Sequence, residues 1–258
     1  MNYQTGLFAL AAVLLSGGVG CTLEDVDSDA IRTKGMYAEM LAIAPGDGQT
    51  LVRVNLTVGG SSGTHVQLVG DDTLVAEAGD DVEELGRRGH GRYEVSLVGE
   101  ASRPITVRLE RGEEDDAAQG TALLPEPFGM RLETASAGGI NRSTPAIVSW
   151  QDPAADDSSL EWSVDGDCIW QDSGITPDDG VMTLQPESVQ VRPTQVGEEC
   201  QVRLTLDRVL RGDVDPLFVP GSSFRAVQRR SLTFVSTPAV GEKNGPQAAA
   251  GTGTTMQE

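Results

Sequence analysis

The stretch CQVRLTL, residues 200–206, alternates apolar and polar side chains with a period of two. In an extended chain its apolar residues share one face, namely Cys200, Val202, Leu204 and Leu206. A strand with one buried and one solvated face has this pattern. The stretch therefore predicts a β-strand whose apolar face, including Cys200, closes a hydrophobic core.

Short candidate strands, several of them with the same alternation, occur before residue 112, namely GMYAEMLAI, TLVRVNLTV, HVQLV, TLVAEA, RYEVSLV and PITVRLE. Short stretches rich in turn formers separate them, such as GDGQ, GGSSG and GRRGHG. Strands at this spacing predict a sandwich or barrel rather than alternating strands and helices. The competing helix, DDVEELGRR at residues 80–88, is too short to change the class.

The second half of the chain contains about eight further candidate strands, which are FGMRLE, PAIVSW, SLEWSV, DCIWQD, GVMTLQ, SVQVRP, CQVRLTLDRVL and SFRAVQRRSLTFVS. The tryptophans Trp150, Trp162 and Trp170 all fall here. Side chains of this size dominate the buried area of a small sandwich, so we expect them to contribute to its core. The whole pattern predicts an all-β protein with two β-sandwich domains in tandem.

The boundary between the halves is predicted in RGEEDDAAQGTALLPEP, residues 111–127. Its four consecutive acids repel one another and its prolines cannot donate to a strand ladder. The predicted organisation is a signal peptide at 1–20, an acidic tether at 21–33, a first sandwich at 34–111, a linker at 112–127, a second sandwich at 128–238 and a disordered tail at 239–258.

The formal net charge is -20 and the sequence pI is about 4.3. Such a surface repels phosphate backbones and anionic headgroups, which excludes nucleic acid as a partner and disfavours peripheral binding to acidic lipid. The basic cluster GRRGHGR, residues 86–92, is expected to offset the neighbouring acids Asp80, Asp81, Glu83 and Glu84, and an anionic ligand bound by its three arginines is the alternative.

The first 23 residues carry no charged side chain, and residues 7–15 form a nine-residue apolar core of signal-peptide length. The segment ends in Val19, Gly20 and Cys21, and here it resembles the lipobox of bacterial lipoproteins. The resemblance implies that Cys21 is the mature N-terminus and the site of lipid attachment in the cell envelope, at the outer membrane. An uncleaved N-terminal anchor and an ordinary secreted or buried cysteine are the alternatives.

Export implies an oxidising compartment, and Cys168 and Cys200 remain as an even pair once Cys21 is assigned to the lipid. We therefore predict one structural disulfide between these cysteines. A loop of this length would stabilise the fold by about 3 to 4 kcal/mol in the chain-entropy treatment.

The second half resembles an immunoglobulin-like or fibronectin type III-like sandwich in its strand number, strand spacing and content of tryptophan and cysteine. The chain from Cys21 onward also resembles two-domain envelope lipoproteins of Gram-negative bacteria. Their closing-strand pattern is matched by GDVDPLFVPGSSFRAVQRRSLTFVSTP, residues 212–238. These resemblances imply an architecture and a location, and no activity.

Carboxylates cluster in several loops of the second half, and the calcium candidates among them are Asp165, Asp167, Asp213 and Asp215. Calcium takes six to eight oxygen ligands, which loops between strands can supply. Solvated turn residues are the preferred interpretation, because the sequence does not show that the loops converge. A glycosidase would need two carboxylates at a defined separation in a cleft.

The sequence therefore favours a noncatalytic, lipid-anchored envelope protein that acts as a structural, binding or adhesion module. Its expected partners are the membrane, through the lipid anchor, and an envelope protein or glycan. The alternatives are an envelope hydrolase that uses loop carboxylates and a calcium-stiffened, adhesin-like spacer. No cofactor is assigned.

Overall fold

A computed structural model describes residues 25–112, 116–133, 139–153, 159–195 and 197–238. The predicted signal peptide, Cys21 and the predicted tail therefore lie outside the described residues. The described chain consists of strands, turns and a few short 3₁₀ segments, which confirms the predicted all-β class.

The strands of the first half are β1 (Val26–Asp27), β2 (Met36–Ala44), β3 (Gln49–Val58), β4 (Thr64–Gln67), β5 (Thr73–Ala78), β6 (Asp81–Glu84), β7 (Gly86–Gly89), β8 (Arg92–Val98) and β9 (Pro104–Glu110). The rest are β10 (Ala118–Leu123), β11 (Met130–Leu132), β12 (Ile140–Asn141), β13 (Ala146–Trp150), β14 (Ser159–Asp165), β15 (Asp172–Thr176), β16 (Val181–Leu184), β17 (Cys200–Val214) and β18 (Ser223–Thr237). The chain also forms 3₁₀ segments at Ser28–Ala30, Thr33–Gly35, Pro186–Val189 and Pro193–Gln195.

The described strands form a 15-stranded sheet, whose two parts are called here the front sheet and the back sheet, and a separate small sheet of three strands. The front sheet has the order β7-β8-β3-β2-β18-β17-β14-β15, with β4 beside the end of β3, and its only parallel pair within that order is β2 with β18. The back sheet has the order β6-β5-β9-β10 and joins the front sheet where β10 pairs with the end of β17. The small sheet is β11-β13-β16.

Two hydrophobic cores lie between these sheets. The first core fills the space between the front and back sheets and includes Phe224 from β18. The second core lies between the front and small sheets and includes Phe234, from the same strand. The strands β17 and β18 are 15 residues long and run through both cores, so the first and second sandwiches share two continuous strands.

Strand β10 lies inside the segment predicted as a linker. It pairs with β9 over its whole length, and Leu124 directly after it is fully buried. The prolines Pro125 and Pro127 follow the strand, so they remove no donor from its ladder. The linker prediction at 112–127 therefore does not hold for residues 118–123, which are part of the back sheet.

Two predicted strands of the second half are not regular strands. The segment DCIWQD forms a turn and an isolated bridge between Ile169 and Val191. The segment SVQVRP, residues 188–193, begins inside the 3₁₀ segment Pro186–Val189 and ends at the first residue of the 3₁₀ segment Pro193–Gln195. Proline favours the first position of a helical turn and cannot donate to a ladder, which explains why this stretch does not extend into a strand.

A buried polar cluster stands between the two cores. The ring of Phe128 lies against two guanidinium groups, with ring-to-Cζ distances of 4.7 Å for Arg208 and 5.6 Å for Arg230. Arg208 is fully buried and donates from Nε to Asp178 at 2.7 Å. Asp178 also accepts a hydrogen bond from the Trp150 indole at 2.7 Å. The cluster ties the end of β13 and the loop before β16 to the centre of β17.

Candidate functional site

The cysteines Cys168 and Cys200 lie at disulfide-bonding distance, with their Cα atoms 5.9 Å apart, which fits the predicted bridge. Both are buried in the second core. The bridge connects the start of β17 to the turn after β14, so it joins neighbouring parts of one sheet and does not cross to the small sheet.

The four calcium candidates lie in two separate places. Asp165 and Asp167 line a cavity of about 270 Å³ together with Arg203. Asp213 is paired with β10, and Asp215 accepts a hydrogen bond from the backbone of Leu217 at 2.8 Å.

Asp165 is paired with Arg203 of β17. Asp213 lies on the same strand, ten residues after Arg203. A strand of ten residues spans about 33 Å. The structure therefore does not bring the two pairs of aspartates together. Across the described ranges, no group of three or more His, Cys, Asp or Glu side chains is arranged to hold a metal ion.

The three tryptophans differ in burial. Trp150 is buried, while Trp162 is half-buried with its ring over Gly174, where a Cβ would lie 2.9 Å from the indole. Trp170 is 55% exposed, and the Cζ atom of Arg192 lies 5.6 Å from the centroid of its ring. Trp170 therefore contributes little to the second core, contrary to the sequence prediction.

The described part of the predicted tether, residues 25–33, packs against the first sandwich. Strand β1 pairs with β4, and the side chains of Ser28 and Thr33 are fully buried. Arg111 donates to the Ser28 carbonyl at 3.0 Å and to the Ile31 carbonyl at 2.9 Å, and the Thr33 amide donates to Asp116 at 2.9 Å. These residues do not extend into solvent as the tether prediction requires.

The first described residue, Asp25, lies at one end of the first sandwich. The Asp25 carboxylate accepts a hydrogen bond from Arg87 and lies 2.9 Å from His90 Nδ1. His65 is paired with Thr57, next to the position where the end of β3 pairs with the start of β2. We call this end, formed by Asp25, His65, Arg87, Arg88, His90 and Arg92, the N-terminal pole.

The second sandwich lies at the opposite end of the molecule from the N-terminal pole. Strand β18 runs parallel to β2, from the pair Ser223 and Glu39 to the pair Gln228 and Ala44. It then continues into the second core and ends at Thr237. Its 15 residues span about 50 Å.

The arginines of the N-terminal pole have different partners from those predicted. Arg87 binds Asp25, and Arg92 lies 3.2 Å from Glu94, which also binds Arg53 at 2.6 Å. The acids Asp80, Asp81, Glu83 and Glu84 form no ion pair with these arginines in the described structure. Gly91 shapes the turn before β8, because its φ is 59° and a Cβ there would lie 2.5 Å from the Leu56 carbonyl oxygen.

A polar groove of about 320 Å³ crosses the second sandwich on the outer face of β14, β15 and β17. Its lining side chains include Glu161, Ser163, Ser173, Ile175, Thr205 and Asp207. β15 is an edge strand, and Ile175 on it is 74% exposed.

Arginines from β18 hold both carboxylates of the groove. Arg225 donates to the two oxygens of Glu161 at 2.8 Å each, and Arg229 donates to those of Asp207 at 2.7 and 2.6 Å. The hydrogen bonds to Asp207 raise the pKa of Arg229. Arg229 binds Asp207 through two nitrogens, whereas a single nitrogen of Arg225 donates to both oxygens of Glu161. Because both carboxylates accept hydrogen bonds from guanidinium groups, the groove suits hydrogen bonding to a polar ligand better than proton transfer.

In the part of the chain that the structure describes, no helix is long and apolar enough to cross a membrane. No protein-family model matches the chain, and a search of curated proteins finds no significant match.

Proposed function

We propose that this chain is a noncatalytic, lipid-anchored protein of the bacterial cell envelope that presents its second sandwich to a partner. The observation that carries the proposal is the packing of residues 25–35 at the end opposite the second sandwich. Cys21 is four positions before Asp25, and four residues span at most about 14 Å. A lipid on Cys21 would hold the first sandwich close to the membrane and direct the second away from it.

The sequence supports the anchor independently of the fold. The uncharged leader ends in the lipobox-like residues Val19, Gly20 and Cys21, and several acyl chains on Cys21 would give durable anchoring. The resemblance to two-domain envelope lipoproteins of Gram-negative bacteria, with an immunoglobulin-like or fibronectin type III-like second domain, supports an outer-membrane location.

The polar groove supports an envelope protein or glycan as the partner. It combines the hydroxyls of Ser163, Ser173 and Thr205 with fixed charges and the exposed side chain of Ile175. Hydroxyls, carboxylates and guanidinium groups are the donors and acceptors that recognise polar ligands. The formal charge of -20 argues against nucleic acid as that ligand.

Replacing the lipid-attachment residue tests the anchor. In Cys21→Ser we expect the acyl mass to disappear and the protein to move from the membrane fraction to the soluble fraction, whereas Thr22→Ala leaves both unchanged. The measurements are intact mass and fractionation of envelopes. Unchanged fractionation of Cys21→Ser would contradict the lipoprotein proposal.

Replacing an exposed side chain of the groove tests the binding role. Ile175→Asp should reduce recovery of cross-linked partners or envelope glycans by about tenfold, because loss of one anchor contact commonly costs more than about 1 kcal/mol. Val181→Asp is the matched control, since Val181 is 47% exposed on the small sheet. Equal losses in both variants, or none in either, would contradict a role for the groove.

A further inference from the structure

The N-terminal pole carries an excess of positive charge in an otherwise acidic protein. Arg53, Arg87, Arg88 and Arg92 lie there or directly beside it, and their carboxylate partners are Asp25 and Glu94. Glu39 lies in the same row, since Asn55 pairs with Arg92 on one side and donates to Glu39 at 3.2 Å on the other. Four guanidinium groups thus share this surface with three carboxylates. Arg88 is exposed and has no ion-pair partner among the described residues.

Two histidines extend the same surface. The rings of His65 and His90 stack with their centroids 6.1 Å apart, and His90 is held by Asp25. The turn that presents His90 is shaped by Gly91, whose backbone carbonyl accepts a hydrogen bond from the Leu56 amide at 2.8 Å. The positive surface therefore has a fixed position on the fold.

The position of Asp25 relates this surface to the lipid attachment. Asp25 is bound to Arg87 at the pole, and β1 continues from it away from the pole, parallel to β4. The four positions back to Cys21 span at most about 14 Å. The membrane that holds Cys21 would therefore lie within reach of the arginines at the pole.

We propose that the N-terminal pole docks onto anionic lipid headgroups of the membrane that holds the anchor. This inference rests on the proposed lipid attachment at Cys21. Guanidinium groups within about one Debye length, about 8 Å at physiological salt, are attracted to an anionic surface. The remaining acidic surface of the protein is repelled by it, so the two forces together orient the second sandwich away from the membrane.

The test uses the acylated full-length protein reconstituted into vesicles, with a fluorophore on Ser62→Cys in the exposed loop between β3 and β4. Quenching by headgroup-labelled lipid is compared between vesicles of neutral phosphatidylcholine and vesicles with added phosphatidylglycerol. We expect about twofold stronger quenching in the anionic vesicles at low salt, and loss of the difference at high salt. A fluorophore on Thr183→Cys, exposed on β16 of the second sandwich, should be quenched in neither case.

The charge variant is Arg88→Gln with Arg92→Gln, which leaves the contact between Arg87 and Asp25 intact. It should abolish the extra quenching in anionic vesicles without changing the melting temperature. The matched control, Arg131→Gln with Arg192→Gln, removes the same charge from exposed positions of the second sandwich and should retain the effect.

The outcomes separate this inference from the proposed function. Flotation of the protein with neutral vesicles measures binding through the lipid anchor, without a contribution from anionic headgroups. If the protein floats but quenching is equal in both vesicle types, or persists in the arginine variant, the docking inference is wrong and the anchor stands. If the protein carries no acyl chain and does not float, both are wrong.

Discussion

The fully buried Arg208 forms an ion pair with Asp178 at the junction of the two cores, with Arg208 Nε 2.7 Å from Asp178 Oδ2. The other nitrogens of Arg208 donate to the carbonyls of Glu126 at 2.9 Å and Asp152 at 2.8 Å. One guanidinium group thus connects the centre of β17 to three separate segments. A buried pair in which all three guanidinium nitrogens donate fixes the relative position of the segments it joins.

Arg208→Met should lower the free energy of unfolding by about 3–5 kcal/mol, because it leaves the Asp178 carboxylate buried without its charge partner. Denaturant unfolding measures the loss. Arg225→Met is the matched control, because the side chains of Arg225 and Glu161 are 39% and 41% exposed. This variant should lower the free energy of unfolding by less than about 1 kcal/mol. Equal losses in both variants would contradict the role of Arg208 at the junction.

Much of the fold could be predicted because its strands carry their burial pattern locally. The segment TLVRVNLTV alternates along its length and appears as β3 within one residue of the predicted start. β10 could not be predicted this way, because its buried face consists of the small residues Ala118, Gly120 and Ala122. Its glycine is required by close packing: a Cβ on Gly120 would lie 2.6 Å from Met40 Sδ and 3.3 Å from Phe224.

The N-terminal pole was only partly predictable for a related reason. The basic cluster at residues 86–92 is evident in the sequence, but its partner Asp25 is 62 positions from Arg87. The packing of residues 25–33 likewise depends on Arg111, which is 83 positions from Ser28. Contacts over such separations are set by strand order, and no local pattern encodes them.

Removing the bridge between Cys168 and Cys200 should destabilise the second sandwich. The double variant Cys168→Ala with Cys200→Ala should lose about 3–4 kcal/mol, as expected for a closed loop with a separation of 32 residues. Unfolding in denaturant measures the difference, and treatment of the native protein with a reductant should reproduce most of it. An unchanged midpoint in both experiments would contradict a structural bridge.

Added calcium should leave the protein's stability unchanged. Asp165 and Asp167 share their cavity with Arg203, whereas Asp213 lies about 33 Å away along β17 and Asp215 directly follows the end of that strand. A ligand that binds only the folded state raises the melting temperature, so a shift below about 1 °C at millimolar calcium is the expected result. A larger shift that disappears in Asp165→Asn with Asp167→Asn would contradict this and favour the calcium-stiffened spacer.

Tyr93 should make the first sandwich sensitive to alkaline pH. Its buried hydroxyl accepts from the Leu68 amide at 2.7 Å and donates to the Val66 carbonyl at 3.1 Å. Burial raises the pKa of the phenol above its usual value of 10.0, although the hydrogen bond from Leu68 acts in the opposite direction. The folded state holds the phenolic proton more tightly than the unfolded state. The contribution of Tyr93 to the free energy of unfolding is therefore complete below pH 10 and is lost as the pH rises through the folded-state pKa.

Tyr93→Phe should therefore cost about 1–2 kcal/mol near neutral pH, where it leaves two buried backbone groups without their partner. Above about pH 10 the exposed phenol of the unfolded wild-type chain ionises while the buried phenol stays protonated, which favours unfolding, so the stability difference between the two proteins should shrink. Denaturant unfolding at a series of pH values measures that difference. A constant difference from neutral to strongly alkaline pH would show that Tyr93 contributes hydrogen bonds alone, without the linkage to proton binding.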